Sequence, residues 1–169
     1  MSTKIDETDR KIIDCLLDDG RMSSTEIARA LGSASERTVR YRIDRLMERG
    51  IIQIGAIVNP RALGYMVTAD VWIEAAPDRL REVAETLAEL PEVSYVAYST
   101  GERDLSIQVY ARDNEDLHAF VSDVVGRIPG VTRTSTMLVP WKVKDVHQWR
   151  VPANAPLNRE STGQTRRRA

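Results

Sequence analysis

Five arginines crowd one short stretch of this chain: Arg37, Arg40, Arg42, Arg45 and Arg49. A guanidinium is a rigid fork of donors that suits phosphate oxygens and the exposed edge of guanine. Ser35, Thr38 and Tyr41 stand among them and add hydroxyls. Residue types for covalent or metal chemistry are sparse by contrast. Cys15 is the one cysteine, so neither a disulfide nor a cysteine-based metal site can form within one chain. His118 and His147 have no partner at metal-ligand spacing and read as surface residues. No nucleophile–base pair, phosphate loop or metal motif is visible. The expectation is a binding protein, not an enzyme, with no cofactor.

Three short capped segments would position the arginines. Asp6 is a plausible N-cap for a first helix, with Glu7 and Asp9 placing negative charge in its first turn. Ile12, Ile13, Leu16 and Leu17 recur at helical spacing, and Gly20 is a stop signal. Ser23 and Glu26 form a capping-box pattern for a second helix, which buries Ile27, Ala28 and Leu31 and ends at Gly32. A third helix runs from about Ser35 to Arg49, with Val39, Ile43 and Leu46 on one face and Gly50 after it. Arg37, Tyr41, Asp44 and Glu48 point the opposite way, with Thr38, Arg40 and Arg45 on the flanks.

A short helix, a turn containing Gly and an arginine-rich helix make a helix-turn-helix, whose second helix lies in the major groove of double-stranded DNA. Its early residues meet the base edges, which here are Ser35, Arg37, Thr38 and Tyr41. Arg40, Arg42, Arg45 and Arg49 then contact phosphates or form salt bridges on the protein surface. The alternative for the whole segment is an ordinary solvated amphipathic helix.

Residues 51–58, rich in Ile and Val, read as a strand that ends at Asn59-Pro60. It is either a wing of the first domain or a hinge into the next. Beyond it the chain repeats itself at an offset of 38 residues: Val71-Trp72 matches Val109-Tyr110, and Leu90-Pro91-Glu92-Val93 matches Ile128-Pro129-Gly130-Val131. Each copy reads strand, helix, strand. The expected strands are 68–74, 94–99, 105–111 and 132–139. The first helix buries Leu80, Val83, Ala84 and Leu87, the second Leu117, Phe120, Val121 and Val124. Two such halves make the βαββαβ, ferredoxin-like arrangement. Val71, Ile73, Val96, Tyr98, Ile107 and Val109 are read as falling on alternating sides, which predicts an apolar open face and dimerisation through the sheet.

The fold class is therefore α+β: an N-terminal winged helix-turn-helix and a C-terminal ferredoxin-like βαββαβ domain. The expected divisions are residues 1–50 for DNA binding, 51–65 for the linker, 66–150 for oligomerisation and ligand sensing, and 151–169 as an unstructured basic tail. Charge follows these divisions. Residues 1–64 carry 11 basic against 10 acidic side chains, 65–150 carry 9 against 14, and 151–169 carry 4 against 1. A polyanion should thus meet the ends of the chain, including Arg166-Arg167-Arg168, rather than the middle. No apolar run approaches the ~18 residues of a membrane span, and Met1 to Arg10 lacks the apolar core of a signal peptide. A cytoplasmic protein without membrane contact is expected.

With both halves placed, the chain resembles the Lrp/AsnC (feast/famine) family of transcriptional regulators. The residues that carry the resemblance are Ile5-Asp6-Glu7-Thr8-Asp9-Arg10-Lys11-Ile12, Glu36 through Leu46, Gly50-Ile51-Ile52, Asn59-Pro60, Leu63-Gly64, Thr100-Gly101-Glu102-Arg103-Asp104-Leu105, and Val143-Lys144 to Trp149. The resemblance implies homodimers that associate further, often to octamers. It also implies a small-molecule effector, frequently an amino acid, bound at a subunit interface. It places that effector near the turn Gly101, Glu102, Arg103 and Asp104. Turn amides suit a carboxylate, and Asp104 suits an α-amino group; the plain alternative is a β-turn without a ligand. This chain departs from the family pattern in having Glu102-Arg103 before the aspartate. It also departs in Gly32-Ser33-Ala34-Ser35, a turn one residue longer than usual.

Overall fold

Paired cap residues set the starts of the first two helices. A computed structural model describes residues 5–152 of the chain; the Arg166–Arg168 run lies outside them. Helix α1 spans Glu7–Asp18, and Asp6 and Asp9 cap it reciprocally. Helix α2 spans Ser24–Leu31, with the same exchange between Ser23 and Glu26. Gly32 ends α2 at φ +66°, a backbone conformation that side chains with a Cβ resist. Helix α3 spans Glu36–Glu48, capped by Ser35, whose hydroxyl accepts from the Thr38 N–H. Ile12, Ile27, Val39 and Leu46 are wholly buried where the three helices meet.

A charged bolt joins α1 to α3. Asp9 is 1 % exposed. Arg42 Nη1 donates to Asp9 Oδ1 at 2.7 Å and to Asp6 Oδ2 at 2.5 Å, and Arg45 Nη2 donates to Asp9 Oδ2 at 3.2 Å. Burial pushes the Asp6 carboxyl up. The Arg42 hydrogen bond, the Asp9 amide and the charges of Arg42 and Arg45 outweigh it and hold the group below its ordinary 3.8.

Residues 51–58 form no strand, contrary to the expectation from their composition. A strand exists only by pairing, and no other segment among the described residues offers this one a ladder. The chain then enters a four-stranded antiparallel sheet with strand order β2-β3-β1-β4. Its strands are β1 (Val67–Ala75), β2 (Val93–Tyr98), β3 (Leu105–Ala111) and β4 (Val131–Leu138). Helix α4 (Leu80–Ala88) links the first pair, and α5 (Asn114–Ala119) begins the second crossover.

The structure also departs from expectation in α5 and in the sheet. Helix α5 passes into a π turn at Phe120–Val124, which inserts an extra residue and rotates the side chains beyond it. Val125 therefore takes the core position expected for Val124: Val125 is fully buried and Val124 is 39 % exposed. The apolar strand residues also do not alternate sides. Residues i and i+2 share a face, so Ala69, Val71, Ile73 and Ala75 all face the core with Leu105, Ile107, Val109 and Ala111. Register puts Val96 opposite Ile107 and Tyr98 opposite Leu105, hence on the same side. The open face carries Asp70, Trp72, Ser106, Gln108, Tyr110, Tyr95 and Met137, a mixed polar and aromatic surface.

Packing divides the described residues into two units. One holds everything up to Ala56 and resumes at Lys144; the other is Ile57–Val143. Residues 144–150, expected with the sheet domain, group with the helices because Arg150 and Val151 contact the helical unit. Among the described residues, no helix is long and apolar enough to cross a membrane.

The packing around Gly130 can be tested by one methyl group. Gly130 sits at φ +104°, and a Cβ there would lie 2.6 Å from Arg79 Cβ and 3.0 Å from Val83 Cγ2. Gly130→Ala should destabilise the protein by about 2–3 kcal/mol. Urea unfolding reads this as a lower midpoint; an unchanged midpoint would mean that the loop before β4 relaxes freely. Acid tests the charged bolt. Because folding lowers the Asp6 pKa, its stabilisation is complete above the unfolded value of 3.8 and is lost as pH falls through the folded value. Asp6→Asn should thus be less stable than wild type near neutrality, with the gap closing below pH 3.8. A gap that ignores pH would show that the Arg42 pair adds nothing.

Candidate nucleic-acid interface and effector turn

Helix α3 sorts its arginines by direction. Val39 and Leu46 anchor its inner face in the helical core. Arg42 and Arg45 are half-buried and serve the Asp6–Asp9 carboxylates. Of the two roles open to them from the sequence, the structure shows protein salt bridges. Ser35, Arg37, Thr38, Arg40 and Tyr41 are exposed along the first turns. Tyr41 is 64 % exposed, a large aromatic left in solvent on a helix that buries its other face. The Arg45 guanidinium lies 5.9 Å from the Tyr41 ring centroid, so one arginine both pairs with Asp9 and backs the tyrosine.

The remaining partners are local. Arg40 Nη2 donates to Glu36 Oε1 at 2.8 Å, an exposed i,i+4 pair of the weak kind that DNA phosphate can displace. The Ser35 hydroxyl lies 2.9 Å from that of Thr38, so capping and the exposed hydroxyl pair are one feature. Four residues, Gly32 to Ser35, separate α2 from α3, and α3 starts at Glu36. Sequence reasoning misses the Asp6–Asp9 clamp on Arg42 because the partners lie more than 30 positions apart. The available signal is two acids at i,i+3 beside a buried helix start, and it reads equally well as dipole compensation.

The second candidate set, Gly101 to Asp104, forms the turn between β2 and β3, at the end of β1. Asp104 is stitched into the sheet: its Oδ2 accepts from the Ala75 N–H at 2.9 Å, its own N–H donates to Ile73 O at 3.1 Å, and its carbonyl accepts from Ser99 N at 2.8 Å. Arg103 pairs with Glu74, and Arg133 Nη1 stands 3.9 Å from the same carboxylate. Gly101 and Glu102 are exposed. The turn thus presents backbone and the Glu102 carboxylate, while its arginine and aspartate are engaged by the protein. Sequence reading finds the turn but not Glu74, which arrives from β1.

On the open face of the sheet a polar chain runs Asp70–Gln108–Tyr110–Lys142. Gln108 Nε2 donates to Asp70 Oδ1 at 3.0 Å, Lys142 Nζ donates to Gln108 Oε1 at 2.8 Å, and the same ammonium sits 5.2 Å from the Tyr110 ring centroid. His118 and His147 are exposed, as read from the sequence. Among the described residues, no group of His, Cys, Asp and Glu could hold a metal ion.

Comparison with known proteins gives this geometry its context. The winged helix-turn-helix DNA-binding family matches residues 5–53, and the Lrp/AsnC ligand binding domain matches residues 68–148. The HTH-type transcriptional regulator LrpA of Pyrococcus horikoshii is 39 % identical over 141 residues, covering 83 % of this chain and 99 % of its own length. The regulator FL11 of Pyrococcus abyssi is 40 % identical over 140 residues, covering 82 % and 91 %. Among solved structures, AsnC of E. coli superposes with a TM-score of 0.77 at 27 % identity, over 83 % of this chain and 95 % of that one. A transcriptional regulator of Neisseria meningitidis in complex with L-Met superposes at 0.81 and 25 % identity, over 89 % and 98 %. These relatives are transcription regulators, not enzymes. With its capped recognition helix ahead of a βαββαβ sheet, the chain belongs to the Lrp/AsnC family of helix-turn-helix transcriptional regulators.

Proposed function

We propose that this regulator reads double-stranded DNA with Arg37, Thr38 and Tyr41 of α3, supported by Ser35 and Arg40. The observation that carries the reading is the sorted helix: Arg42 and Arg45 are held inward by buried acid, and the outward N-terminal half keeps its donors free of the core. Residues at that end of a recognition helix are the ones that reach base edges. In this reading the protein works as a homodimer joined through the open sheet face, with further association to octamers. Trp72, Tyr95, Tyr110 and Met137 supply aromatic and sulfur surface there, and the Asp70–Gln108–Lys142 chain supplies polar matching, the mixture typical of specific interfaces. A dimer presents two recognition helices to a two-fold site. In this reading the protein works in the cytoplasm, beside the DNA it binds.

The effector proposed is an amino acid, bound at a subunit interface near Gly101, Glu102, Arg103 and Asp104. Two points support it: the match of residues 68–148 to a ligand binding domain, and the L-Met held by a structural relative. Because Asp104 Oδ2 already accepts from Ala75, its part is to hold the turn open for a ligand while offering its second oxygen to an ammonium group.

Two measurements test these readings. Arg37→Ala and Tyr41→Ala should each weaken binding to a selected duplex by about 10- to 100-fold without unfolding the domain. Log affinity against log salt should fall linearly for wild type, as phosphate contacts demand. Wild-type affinity in both variants would refute the assigned reading face. For the effector, Asp104→Asn keeps an oxygen for the Ala75 amide and removes the charge. It should reduce the response of DNA binding to added L-methionine and other amino acids by roughly tenfold at an unchanged thermal midpoint. A full response in that variant would place the ligand elsewhere.

A further inference from the structure

After β4 the chain does not stop with the sheet. Residues 144–152 rejoin the helical unit, so the backbone passes between the two units twice, once near Ala56 and again near Lys144. A capped turn sets the course of the return. Asp145 accepts from the His147 N–H at 3.2 Å, and Gln148 Oε1 accepts from the Asp145 N–H at 2.9 Å. That turn delivers Arg150 and Val151 to the helical unit. Arg150 Nη1 lies 3.5 Å from Asp14 Oδ1, Arg150 Nη2 bonds Asp18 Oδ1, and Val151 packs against the buried helical core.

The electrostatics of α1 explain why this contact forms. A helix C-terminus bears partial negative charge and favours a cation. Helix α1 ends in the opposite way. Asp14, Asp18 and the cap residue Asp19 crowd that end, and its last turn holds no basic residue. The cation it lacks comes from the far end of the chain as Arg150.

We infer that Arg150, seated by Val151 on α1, is a positioning residue for DNA recognition: it makes the second crossing a fixed attachment and so holds the recognition helix at a set spacing from its copy in the dimer. One attachment leaves a domain free to swivel, and two limit it to a hinge. The inference rests on the dimeric DNA-binding reading proposed for this chain. Arg150 touches no base; it acts through α1, which carries the Asp6–Asp9 clamp on α3.

The experiment uses the full chain and two duplexes. One is selected from a random library by wild-type protein. The other is lengthened at its centre by half a helical turn, about 5 base pairs. Wild type should bind the lengthened duplex at least about tenfold more weakly, whereas Arg150→Asp should bring the two affinities within about threefold. The charge exchange Asp18→Arg with Arg150→Asp should restore the discrimination. Hydrogen exchange should quicken in α1 and in residues 144–152 of Arg150→Asp and recover in the exchanged pair. If Arg150→Asp unfolds the helical unit, Arg150→Gln carries the same comparison. Wild-type spacing preference in the single variants, or wild-type exchange rates, would overturn the positioning role. Wild type that ignores spacing, or that binds as a monomer, would instead remove the dimeric reading and this inference with it.

Discussion

A carboxylate that is almost wholly shut off from water governs the geometry of the DNA-binding half. Burying such a charge costs several kcal/mol unless partners replace its water. Asp9 receives those partners from the Asp6 N–H of its own cap and from Arg42 and Arg45 of α3. The pairing has little latitude, because Arg42 Nη1 and Arg45 Nη2 converge on one buried carboxylate. The axial rotation of α3 is therefore set by charge as well as by Val39 and Leu46 in the core. Once Val39 and Leu46 face the core with Arg42 beside them, the helical period leaves Arg37 facing outward and Tyr41 on the exposed flank next to Arg45. The outward face is thus a consequence of the inward one.

How much of this was legible in the sequence depends on how local the cause is. The helix starts were readable because Asp6–Asp9, Ser23–Glu26 and Ser35–Thr38 act across three residues. The βαββαβ order was readable because the 38-residue repeat shows two copies of one unit. Non-local causes were not readable. Arg42 could not be assigned to phosphate or protein without knowing that α1 packs beside it. Val124 and Val125 changed places through a π turn that no periodicity announces. Residues 51–58 have the composition of a strand, yet a strand is a property of a pair. The open sheet face follows from pleating alone: residues two apart share a side, so the apolar residues of β1 and β3 all face the core.

This one-sided arrangement decides what the sheet offers. An apolar open face would stick to many surfaces. The observed face sets Trp72 and Tyr110 among Asp70, Gln108 and Lys142, whose hydrogen bonds already link β1, β3 and the segment after β4. Polar groups fixed this way demand complementary groups from whatever covers them, since a mismatched partner leaves them buried and unpaired. The surface favours a particular partner over general adhesion. The acidic balance of residues 65–150 adds to this by disfavouring a polyanion there.

The acids of α1 divide their arginine partners between its two ends. Two at its start, Asp6 and Asp9, bind Arg42 and Arg45; two near its end, Asp14 and Asp18, bind Arg150. A helix with only one of these ends satisfied would hold either the recognition helix or the returning chain. With both satisfied, α1 supports both α3 and the segment that follows β4. Buried charge joins α1 to α3, because parting the two helices would leave the Asp9 carboxylate without its arginine partners.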